Sequence, residues 1–98
     1  MSDAFDLPPV QDTLTLTLRK PVRFADQDYA VLELREPTAG ELAKAVKEPG
    51  EVDMMITLTH LVAAVPRGVA ERLSQRDLGE CARFFAQFSQ PARATSAP

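Results

Sequence analysis

TLTLTLRKPVRFADQDYAVLEL, residues 13–34, is the stretch whose reading decides the fold. Its first half places Leu14, Leu16 and Leu18 on one side of the chain and threonines on the other, the period of a strand with one buried face. Val22 and Phe24 keep the parity of the leucines, and Pro21, which has no N–H to give to a ladder, marks an edge position or a bulge. The polar ADQD, 25–28, interrupts the run, after which YAVLEL, 29–34, is again rich in strand formers. These features read as a β-hairpin. A five-residue loop pairs Phe24 with Ala30 and Val22 with Leu32, so that the even-numbered apolar residues of both arms share a face. A four-residue loop pairs Phe24 with Tyr29 instead, and the pattern admits both.

Beyond the hairpin, Pro37 disfavours helix at Glu36, while Thr38 and Glu41 have the spacing of a capping box, so a helix starts at Ala39. It runs toward Lys47, where Pro49 and Gly50 end it. Over 52–65, Met54, Leu58, Leu61, Val62 and Val65 form an apolar stripe with Met55 at its edge and Asp53, Thr57 and His60 on the far side. Pro66 closes this helix, and PRGVAERL has room for a single turn. Ser74 and Asp77 repeat the cap pattern and open a last helix over 75–90, with Leu78, Cys81, Ala82, Phe85 and Phe88 on its stripe. The order is that of an α+β fold: an N-terminal two-stranded antiparallel β-hairpin followed by about three α-helices. One domain is expected over 13–90. An arm over 1–12, with Pro8, Pro9 and three acids, and a tail over 91–98 of turn-like composition are expected to be flexible.

The totals narrow the function classes. A chain of 98 residues holds one modest core, and 45% hydrophobic with 26% charged residues argues against disorder throughout. A net charge of −3 gives no general attraction to phosphate backbones or anionic lipid, so neither nucleic acid nor membrane is an expected partner. The longest apolar run, 61–66, is far shorter than the ~20 residues of a span, and MSDAFD lacks a basic leader, which makes the cytosol the expected compartment. One cysteine and one histidine permit no internal disulfide and no zinc set. Cys81 sits in an apolar stripe, and His60 lies on a polar face with no nucleophile beside it in the pattern. The acids at 26, 28, 48, 51 and 53 match no EF-hand and suit turns and helix starts. The glycines form no phosphate loop, and a helix carrying Arg76 and Arg83 beside Asp77, Glu80 and three phenylalanines is a poor major-groove reader. No metal, cofactor or enzymatic activity is expected.

A two-stranded hairpin is marginal alone in water, so it must pack on the helices, pair with another chain, or both. Its outer edges invite strand addition, and self-association there stands open against protection by Lys20 and Pro21. Phe84 falls at the margin of the last helix's stripe. Met54, Met55, Phe84 and Phe88 are therefore the candidate partner-binding residues, set against the favoured reading in which the three phenylalanines are all core. Thr38, Glu41, Ser74 and Asp77 are the candidate structural caps.

Taken in order, TLTLTLRKPV, VLELREPTAGEL and RLSQRDL resemble the small tail assembly chaperones of Mu-like and P2-like contractile-tailed phages, over about residues 13–88. ADQD stands where an Asp-Gly-like turn is expected, and Pro66-Arg67 precedes the last cap. The resemblance implies a non-enzymatic chaperone in the host cytoplasm, without catalytic residues or cofactors. It implies binding to the long helical tape measure protein, which is kept soluble until it meets the tail tube subunits, and release before the virion is mature. The tail tube subunit is thus a further partner to test. The alternative is a structural tail component or oligomeric adaptor that stays in the particle.

Overall fold

The computed structural model describes residues 12–88. The expected arm, apart from Asp12, and the expected tail lie outside the described residues. The elements are β1 (Thr13–Phe24), β2 (Gln27–Arg35), α1 (Ala39–Ala45), α2 (Glu51–Ala63), α3 (Arg67–Glu71) and α4 (Gln75–Ala86). This is the α+β order read from the sequence, a two-stranded antiparallel hairpin and then helices. The single turn anticipated in PRGVAERL is α3, so four helices are described rather than about three. The last helix ends at Ala86, short of Gln90.

Neither anticipated loop length is adopted. Phe24 pairs with Gln27, leaving only Ala25 and Asp26 to turn the chain, both left-handed at φ 51° and 62°. Positive φ at both central residues is the type I′ geometry, whose twist matches that of the strands it joins. The turn is hard to read because it is ordinarily announced by Asn-Gly or Asp-Gly, and an alanine resists this conformation by roughly 1–2 kcal/mol.

The pairing runs evenly from Thr13 opposite Arg35 to Thr17 opposite Val31, then resumes at Val22 opposite Tyr29. Residues 18–21 therefore stand against Ala30 alone, a wide bulge at the position Pro21 marks. The bulge shifts parity. Before the bulge the even-numbered residues share a face as expected, though in another register, with Leu14 opposite Leu34 and Leu16 opposite Leu32; past it Val22 faces Tyr29, and Ala30 is exposed. The expected Phe24–Ala30 and Val22–Leu32 pairs do not form.

One face of the hairpin is covered, α2 lying on β2 and α3 and α4 on β1, with α1 packed on α2. Leu18, Val22, Leu32 and Leu34 meet Leu58, Val62, Val69, Cys81 and Phe85 in the core. Helix α2 touches β2, α1, α3 and α4, so it is buried on more than the one stripe its sequence shows. Thr57, expected on the polar side, is buried; it donates to Glu48 (2.9 Å) and accepts from Arg67. His60, expected to face solvent, is half-buried with Nδ1 3.1 Å from the Val65 carbonyl oxygen. That contact spans the left-handed Ala64 (φ 57°) where α2 stops.

Candidate partner-binding site

The joint 35–41 fixes one wall of the site. Thr38 Oγ1 accepts from the Glu41 amide (3.1 Å), and Glu41 returns the bond by accepting from the Thr38 amide (2.9 Å), a complete capping box. Arg35 grips the Glu41 carboxylate with two bonds of 2.9 and 2.7 Å. Chiefly through that Arg35 fork, the Glu41 carboxyl is held down to about 2, with the Thr38 amide adding to it against the effect of burial. Helix α1 is thereby tied to the end of β2.

The second cap works differently from its sequence form. Ser74 Oγ accepts from the Asp77 amide at 3.2 Å, but the Asp77 carboxylate turns across to the bulge of β1. There it accepts from the Arg19 amide (3.0 Å) and the Lys20 amide (3.2 Å). Asp77 is wholly buried. Burial pushes its carboxyl up, but the Arg19 and Lys20 amides and Ser74 outweigh that and hold it below its ordinary value. One buried carboxylate thus satisfies the donors that the bulge removes from the ladder, and fixes α4 against β1.

With α1 and α4 so placed, an apolar groove opens between them over α2. Two adjoining cavities of about 470 and 380 Å³ share Leu42, Met54, Met55, Leu58 and Ala82. Met54 and Met55 are half-buried in its floor, and Phe88 is half-buried at one end, so three of the four sequence candidates meet there. The fourth does not. Phe84 is only 5% exposed, packed edge-on against Phe85 (5.7 Å) and Phe88 (5.2 Å), and belongs to the core. With α4 set across β1, the margin of the stripe faces the sheet rather than water.

The sequence reading missed the rim. Leu42, Val46 and Val52 are 46%, 61% and 62% exposed, and all three line the groove. The signal was available: Leu42 and Val46 lie four apart on a short helix, and Val52 lies off the α2 stripe, so their apolar surface had no assigned cover. Cys81 is buried, and burial first of all pushes its thiol up to about 11, which keeps it an un-ionised core side chain. Among the described residues no group of His, Cys, Asp and Glu is placed to hold a metal ion. Nor is any described helix long and apolar enough to cross a membrane.

These features define a small α+β domain whose exposed chemistry is an apolar groove between helices. Residues 15–90 match the family model for phage tail assembly chaperone proteins, E, or 41 or 14, and the chain belongs to that family. No curated protein and no solved structure matches it. The three segments that carry the resemblance now have physical roles. RKPV forms the bulge, LREPTAGEL the Arg35–Glu41 joint, and RLSQRDL supplies the buried Asp77 that meets the bulge.

Proposed function

We propose that the protein binds the tape measure protein and keeps it soluble while the tail tube assembles, acting in the host cytoplasm and leaving before the virion is complete. Membership of the tail assembly chaperone family supports this reading. The observation that carries it is the groove: three large aliphatic side chains exposed together around a methionine floor, which is unusual on a small domain that acts alone. A tape measure protein presents long amphipathic helices before the tube encloses them, and a helix laid in this groove covers its apolar stripe with that of the chaperone. Contacts through methionines and small aliphatics suit reversible holding.

Co-expression tests the reading. Co-expressed with a tape measure protein, the native chain is expected to keep it in the soluble fraction and co-purify with it. The double variant Leu42→Asp/Val46→Asp folds but does neither. Retention of solubility and co-purification by that variant refutes the groove. Recovery of the chain in purified mature particles refutes its departure and favours a structural tail component.

A further inference from the structure

The groove is bordered unequally. Among the residues that line its two cavities the charged ones are Glu36, in the joint just before α1, and Glu51, which opens α2 just after the α1–α2 turn, one in each cavity. On the other side the wall is α4, and it is low: a Cβ at Gly79 meets nothing within 4 Å. Gln75 and Gly79 line the groove and also border an adjacent hollow lined by Arg19, Arg76, Glu80 and Arg83. Apolar groove and arginine shelf are therefore one continuous surface that crosses α4 at its glycine. Glu80 engages Arg83 at 3.1 Å, while Arg19 and Arg76 are exposed beside them. The groove follows α4 from Gln75 to Phe88, which at 1.5 Å per residue gives room for a helix of about four turns.

From this charge layout we propose that the groove selects amphipathic helices whose apolar stripe has an acidic flank and a basic flank. The acidic flank passes over Gly79 to Arg76, Arg83 and Arg19, and the basic flank meets Glu36 and Glu51. Rotating such a helix end for end exchanges its flanks, so the same charges also fix the direction in which the helix lies. The proposal rests on the groove being the binding site, and adds which helices enter it and how.

The test uses the full chain and three synthetic helical peptides with one common leucine stripe. The flanks are glutamate on one side and lysine on the other, lysine on both, or glutamate on both. Affinities are measured by fluorescence anisotropy at low and physiological salt. The mixed peptide is expected to bind tightest. At low salt Arg76→Glu/Arg83→Glu is expected to weaken the mixed and all-glutamate peptides about fivefold and strengthen the all-lysine peptide, with a smaller effect at physiological salt, the scale of a few exposed ion pairs. A nitroxide at one end of the mixed peptide is expected to broaden either Val52 or Phe88 resonances but not both. Equal affinities for the three peptides, or an order untouched by the arginine substitutions, overturns the proposal while Leu42→Asp/Val46→Asp still abolishes binding. If Leu42→Asp/Val46→Asp leaves binding intact, or if it dissolves a dimer of the free chain, the groove is not the peptide site and the functional reading fails with it.

Discussion

Replacing Asp77 should remove a large part of the stability of this domain. The wholly buried carboxylate accepts from two strand amides, Arg19 at 3.0 Å and Lys20 at 3.2 Å, while its own amide binds Ser74. A hydrogen bond to a charged acceptor contributes about 1.5–3 kcal/mol, and Asp77→Ala removes the acceptor of both amides. The expected loss is about 3–5 kcal/mol, within a total of order 5–15 kcal/mol for any small domain. Asp77→Asn keeps the shape but offers one acceptor oxygen and no charge, so about 2 kcal/mol is expected. Urea unfolding followed by circular dichroism reads both. With a slope near 1 kcal/mol per molar for a domain of this size, the alanine variant unfolds roughly 3 M earlier, if it folds at all. Hydrogen exchange at Arg19 and Lys20 adds a local readout: both amides should be protected in the native chain, and one of them should exchange fast in Asp77→Asn, whose amide keeps a single acceptor oxygen. A loss below about 0.5 kcal/mol in Asp77→Asn with those two amides still protected would refute the clamp. The pH dependence has a definite sign. Because the folded-state pKa is lowered, the contribution is fully present above the ordinary aspartate value and is lost as pH falls through the folded one.

The remaining predictions concern the turn, the joint and two glycines. Ala25→Asn/Asp26→Gly should stabilise the domain by about 1–2 kcal/mol, because both positions are left-handed and the new pair adopts that geometry readily; a lower melting temperature refutes the I′ assignment. Glu41, held to about 2 from an ordinary 4.5 by Arg35, contributes stability present above pH 4.5 and lost as pH falls toward 2. With Arg35 44% exposed that contribution is discounted to about 1 kcal/mol, and Glu41→Gln should flatten that part of the acid titration of stability. Gly79→Ala should stabilise by about 0.5–1 kcal/mol, since its Cβ enters open space on α4. Gly68→Ala should instead destabilise by about 1 kcal/mol, because its Cβ collides with the ring of Phe24, which is itself held 4.9 Å from the Arg72 guanidinium. If the two alanines shift the thermal midpoint in the same direction, this packing is wrong.

Local patterns were legible where one neighbour decided the outcome. The alternation of Leu14, Leu16 and Leu18 marked the strand, and Thr38 with Glu41 marked a helix start, because each depends on residues within one turn or one pleat. Pro21 marked the bulge for the same reason. What the bulge does to parity was not legible, since four residues standing against one shift every later pair by three, and Tyr29 then takes the place opposite Val22 assigned to Leu32. Asp77 shows the limit most clearly. Its spacing from Ser74 has the form of a reciprocal cap, yet its partners lie 58 and 57 residues away, and nothing local distinguishes the two uses of a carboxylate. The candidate site was half visible. Met54 and Phe88 lay on apolar stripes and Met55 at the edge of one, Phe84 was turned inward by the way α4 crosses β1, and the rim of Leu42, Val46 and Val52 needed the α1–α2 packing to become a surface.

The reach of that one carboxylate bears on how the chain must be made. A ribosome releases the strand long before it releases residue 77, so the bulge amides of Arg19 and Lys20 wait unpaired through the synthesis of three helices. Completion of the fold is accordingly expected to wait until α4 emerges, as contacts distant in sequence form slowly. A product cut before Asp77 retains a hairpin without its clamp and is not a smaller version of the domain. A product lengthened beyond Ala86 carries the same clamp, the same groove and the same arginine shelf into whatever larger protein it becomes.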